Sequence, residues 1–122
     1  MLTQLLEIKR RRERGWRRSL ARLARRDLDL CNTQELLGIR RSALREKWRA
    51  LASASGQFSQ RSLATLRSNL AKLQLEDHAI VRQQDALIAE RDQLAKERVE
   101  QEALLRCNLR EQEKLLLMLE KV

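Results

Sequence analysis

Residues 53–59 read Ser-Ala-Ser-Gly-Gln-Phe-Ser, the one cluster of helix-breaking residues in a chain of 122 that has no proline and only three glycines. Gly56 can adopt the left-handed conformation that ends a helix, and Ser59 can cap the next one. Gly15 and Gly38 stand alone among helix formers, where each costs about 1 kcal/mol relative to alanine. The spacing therefore predicts helix one over about 2–54, a turn at about 55–59 and helix two over about 59–120. Leucine, alanine, arginine, glutamate, glutamine and lysine dominate both segments, 35% of all residues are charged and 2% are aromatic. That is the composition of a helical rod with a narrow seam, not of a domain with a deep core.

Outward from the break, both segments carry sevenfold apolar spacing. Leu2, Trp16, Leu23, Leu30, Leu37, Leu44 and Leu51 fall on one such series, broken by Lys9. Leu66, Leu73, Ile80, Leu87, Leu94 and Leu115 fall on the other, with Gln101 and Asn108 between them. Companion positions three or four residues away add Leu6, Leu20, Trp48, Leu63, Leu70, Leu105 and Leu119, interrupted by Glu13, Asp27, Gln34, Arg41, Asp77, Gln84, Arg91, Arg98 and Gln112. A seven-residue repeat of this length specifies a left-handed coiled coil. Trp16 and Trp48 are expected to pack in its seam.

Charge selects the topology. Residues 9–26, KRRRERGWRRSLARLARR, hold ten cations, and nearly all of the chain's net +9 lies in its first 26 residues. A parallel dimer would lay that segment beside its own copy. A hairpin sets it against about 88–105, where Glu90, Asp92, Glu97, Glu100 and Glu102 outnumber Arg91, Lys96 and Arg98. Opposite charges flanking a seam favour the antiparallel arrangement. The expected fold is all-α, a single long two-helix antiparallel coiled-coil hairpin. With the turn centred near residue 57, residue i faces about 114 − i, and Lys114–Val122 overhangs the N-terminus. Polar seam positions thin the contact, so the open end is expected to fray without a partner.

The residues exclude several classes of chemistry. The single histidine, His78, sits in the polar run Glu76-Asp77-His78 with no cysteine beside it, so a solvated rim histidine is expected rather than a metal ligand. No glycine-rich phosphate loop is present, and carboxylates along a rod have no pocket to tune them. We expect no enzyme activity and no cofactor. Cys31 and Cys107 form no motif and suit a reducing compartment. The longest apolar run, Leu115–Leu119, is too short for a bilayer span, and no cleavable secretory pattern opens the chain, so membrane insertion is not expected.

For the basic run, four readings compete. It could be a solvated face neutralised within the hairpin, a nucleic-acid-binding arm, a membrane-surface helix, or a face that docks on an acidic protein. The leucine heptad passes through the run, and no aromatics stand ready to stack bases, which weakens the nucleic-acid reading. The apolar face is thin and interrupted for a membrane surface. Docking on an acidic protein is favoured, with a basic nucleic-acid-binding coiled coil as the alternative. Phe58, at the turn, has no seam left to bury it and reads as an interaction residue or a cap.

The opening Met1-Leu-Thr-Gln-Leu-Leu-Glu-Ile-Lys-Arg-Arg-Arg-Glu-Arg resembles the YscO/FliJ family, the central stalk proteins of type III secretion and flagellar export. Leu5-Leu6-Glu7-Ile8 followed by Arg11-Arg12-Glu13 is similar to the short virulence-system members. The resemblance implies a bacterial cytoplasmic stalk whose end with both termini enters a secretion ATPase hexamer and promotes its assembly and activity. The rest of such a stalk reaches toward the export gate, and some members handle export chaperones. Carried over residue by residue, Arg10, Arg11, Arg12, Arg14, Arg17 and Arg18 with Leu115, Leu116 and Leu119 would face the ATPase. Gln57, Phe58 and Gln60 would face the gate or chaperones. Flagellar members carry a spaced aromatic, aliphatic and histidine set for gate contact, and this chain has Ser62, Thr65 and Asn69 at the steps after Phe58.

Overall fold

A computed structural model of the chain describes residues 1–53 and 60–121. Two helices account for nearly all of them: α1 over Leu2–Ala52 and α2 over Gln60–Glu120. They pack against each other as an all-α hairpin. Gly15 and Gly38 are both carried inside α1. Gln57 and Phe58 lie outside the described residues, and Gln60 opens α2 with an exposed side chain.

The packing divides into two units, Met1–Asp29 with Glu90–Val122 and Leu30–Ala89. In the first, an α1 segment runs antiparallel to an α2 segment, with Lys9 paired to Glu111, Arg26 to Glu90 and Asp27 to Arg91. Its buried positions are Leu6, Leu115, Asn108 and Gln112. In the second, Arg41 pairs with Asp77 and the buried positions are Leu30, Leu44 and Ile80. Nearly every seam position named from the heptads is buried or half-buried, including Trp16. Trp48, at 39% exposure, Leu63 and Arg98 are the exceptions. A two-helix layer has walls on two sides only, so an indole at a seam position is covered by one partner helix and left open on its flank.

The register differs from the expected one. A turn centred on residue 57 would set Arg41 against Leu73, yet Arg41 Nε donates to Asp77 Oδ1 at 2.9 Å, four residues further along. Because seam positions alternate by three and four residues, a slide of four keeps apolar stripe on apolar stripe. It changes only which charges meet. In the observed register Asp27 meets Arg91 and Arg41 meets Asp77, so no seam charge in these layers is left against leucine.

The same slide corrects the overhang. Leu115 is 8% exposed and belongs to the buried positions of the first unit, so it is not part of a free tail beyond the N-terminus. Leu119 is half-buried and only Leu116 of the three leucines assigned there is exposed, at 43%.

Candidate functional site

The candidate site is the cationic part of α1 within the first unit. Of the ten cations in residues 9–26, the hairpin neutralises few. Lys9 is bound by Glu111 and Arg26 by Glu90, whose Oε1 accepts from Arg26 Nη2 at 2.8 Å. Arg17 turns to its own helix, donating from Nε to Glu13 Oε2 at 2.8 Å. Arg10, Arg11, Arg12, Arg14, Arg18, Arg22 and Arg25 are exposed and form no ion pair with any described residue.

Helical spacing sorts those seven. Arg11, Arg18 and Arg25 recur every seven residues, with Arg14 and Arg22 filling the turns between them, all on the face opposite the seam. They form a stripe spanning about 21 Å along the helix. Gly15 and Ala21 interrupt it with a shallow hollow whose walls are Arg18, Arg22 and Arg25. Five guanidiniums that form no ion pair with a described residue raise the local potential and invite an anionic surface. Arg22 and Arg25 belong to this stripe as fully as Arg11, Arg14 and Arg18, although the resemblance carried over none beyond Arg18. The signal was in the sequence as the seven-residue interval from Arg11 through Arg18 to Arg25.

Behind the stripe the seam is polar. Gln112 Nε2 donates to Glu13 Oε1 at 2.9 Å and to Asn108 Oδ1 at 2.6 Å. Those bonds, Gln112 first and then Arg17, hold the Glu13 carboxyl below its ordinary range. Lys9 does the same to Glu111, and Arg91 to Asp27. Buried Gln101 Oε1 and Asn108 Nδ2 find no hydrogen-bond partner among the described residues. Unsatisfied buried polar atoms cost stability, so the first unit is held together less tightly than an all-leucine seam would be.

Apolar side chains are exposed beside the charge. Leu5 and Ile8 on α1, and Leu109, Leu116, Leu117 and Met118 on α2, each expose more than a third of their surface. Of the residues expected at the docking end, Leu116 therefore faces solvent, Leu119 partly and Leu115 not at all. Leu5 and Ile8 were not anticipated, and the signal for them is that apolar residues there are denser than a seam can use. Among the described residues, no group of three or more His, Cys, Asp or Glu could hold a metal ion, and no helix is long and apolar enough to cross a membrane. His78 is exposed. Compared with known proteins, the chain matches no family model, no curated protein and no solved structure.

Proposed function

We propose that the chain is a non-enzymatic stalk that docks through its basic end into a ring of acidic loops, that of a type III secretion ATPase hexamer in the bacterial cytoplasm, and promotes its assembly and turnover. The observation that carries this is the stripe of Arg11, Arg14, Arg18, Arg22 and Arg25, none of which forms an ion pair with a described carboxylate. The resemblance of the opening residues supplies the identity of the ring. Long arginine side chains suit such a place because they keep charge-assisted hydrogen bonds to carboxylates while the surfaces shift past each other. Exposed Leu116 and its apolar neighbours add contact area at the same end. Links from the turn to an export gate or to chaperones, through Gln57, Phe58 and Gln60, complete the proposal.

The test is ATP turnover by a purified type III secretion ATPase, with and without this protein, at low and high salt. Salt-sensitive stimulation, lost in Arg11→Glu/Arg18→Glu/Arg25→Glu while helicity is retained, supports the reading. Stimulation unchanged by those reversals rejects the docking face. An evenly spaced arginine line also favours a second reading, phosphate-backbone binding. Duplex DNA that binds tightly and with a steep salt slope, in the absence of any ATPase effect, would establish it instead.

A further inference from the structure

The second unit carries a different surface. Near the α1 end of that unit, a recess of about 340 Å³ opens between the helices, floored by Leu44, Trp48 and Leu73. Arg45 and Arg49 form its rim on α1, and Gln74 and His78 form its rim on α2. A tryptophan flanked by arginines one turn apart is the composition of a binding hot spot. Cations outnumber carboxylates there: Asp77, which also lines the recess, is bonded by Arg41 and lies within the field of Arg45, and among the described residues Arg49 pairs with Glu46 of its own helix.

The heptad lines that lead away from the recess carry small and apolar residues. Gly38 lies seven residues before Arg45 and Val81 seven after Gln74, so each falls on the same face as its rim residue, and Cys31 and Ile88 follow one heptad further. No charged residue occupies that line beyond Arg45, while the outer row that starts from Arg49 and His78 continues through Ser42 and Glu35 on α1 and Asp85 on α2, so the basic charge is confined to the Trp48 end. Gly38 is unexplained by the hairpin itself. Its backbone is ordinary helix, and a Cβ built there meets nothing within 4 Å. Glycine is the costliest ordinary residue in a helix interior, and here it leaves open space over the groove. From Cys31 to Trp48 this face of α1 runs about 26 Å, enough for some five turns of a third helix.

We propose that this face of the second unit receives an acidic amphipathic helix. Its apolar stripe packs over Gly38, Val81 and the Trp48 recess, and its flanking carboxylates meet Arg45 and Arg49. This is the helix-in-groove mode, with burial supplying affinity and charge supplying orientation. The proposal stands on the groove alone and does not depend on the ATPase reading.

The test uses the full chain with Trp16→Phe, which leaves Trp48 as the only tryptophan. The probe is a synthetic peptide of three heptads, leucine at the seam positions and glutamate at the flanking ones, with a lysine-for-glutamate version as control. The expected result is a saturable blue shift of Trp48 emission with the acidic peptide only. Affinity should fall at least tenfold in Arg45→Glu/Arg49→Glu and again in Gly38→Leu, with helicity intact. Four results overturn the proposal: no saturable shift, equal binding of the lysine peptide, loss of binding in Arg18→Glu/Arg22→Glu in place of the groove variants, or a shift driven by protein concentration alone. The last would make a second copy of the chain the occupant.

Discussion

Individual side chains decide the pairing of these helices more than the apolar stripe does. Arg41 and Asp77 occupy seam positions yet keep 30% and 28% of their side-chain surface exposed, so their attraction is screened and contributes little net stability. Their value is selective, because the register four residues away sets Arg41 against Leu73 and Asp77 against Leu37. Replacing both with leucine should raise the thermal midpoint by several degrees, since a leucine contributes about 1.5–3 kcal/mol when fully buried and roughly half that here. The same double variant should lose uniqueness and form dimers or larger species, visible by sedimentation velocity. A more stable variant that remains strictly monomeric would show that other residues set the register. Trp48 makes the complementary point. Its apolar character and spacing were legible in the sequence, but its exposure was not, because a binary pattern records that a residue is apolar and says nothing of how wide a layer it needs.

Elements carry the pH and truncation behaviour. Glu13, Asp27, Asp77 and Glu111 all titrate below their ordinary values because Gln112, Arg91, Arg41 and Lys9 respectively bond the charged form. A carboxylate with a lowered folded-state pKa contributes stability that is present above its ordinary value and is lost as pH falls toward the lowered one. The hairpin should therefore hold a level thermal midpoint from neutral pH down to about 4.5, the ordinary glutamate value, and fall progressively below it. A midpoint equal at pH 7 and pH 3 would show that these bonds are immaterial. Removing residues 114–122 takes away Leu115, which is a seam residue and not an overhang. Hydrogen exchange should then accelerate through Leu2–Ile8 of α1 while residues of the second unit keep their protection. Unchanged exchange over Leu2–Ile8 would restore the free-tail picture. The extent of the two helices was legible, since sevenfold spacing and the single breaker cluster agree with each other; the expected caps, Gly56 and Ser59, lie outside the described residues. Their relative slide was not, because heptads three and four apart fit equally well after a shift of four.

At the scale of the molecule, charge asymmetry and function belong together. The chain's +9 is concentrated at one end of its sequence, and pairing among the described residues removes three of the ten cations there. Each arginine-to-glutamate reversal in the stripe lowers the net charge by two without touching the seam, so helicity should stay within a few per cent of wild type by circular dichroism. Binding to an acidic ring should weaken with each reversal and with added salt, because exposed charges are screened over about 10 Å at 0.1 M. Reversals at Arg10 or Arg17, which lie off the stripe's centre, should weaken binding less than reversals at Arg18 or Arg22, and equal losses would mean that the whole cationic segment acts as a diffuse cloud. The basic end was readable from residues 9–26 alone. Its outward line required knowing which cations the hairpin consumes.

Among the described residues no large side chain is fully enclosed, even at the best-packed layers. A chain built that way opens locally and often, and each opening offers backbone to a protease. Survival in the cell then depends on being held. Copies seated on a partner should persist, and surplus copies should be cleared within minutes, so that abundance follows the number of docking places and not the rate of synthesis. Pulse-chase labelling in cells with and without the partner measures this directly: a half-life unaffected by the partner's deletion would mean that the hairpin protects itself.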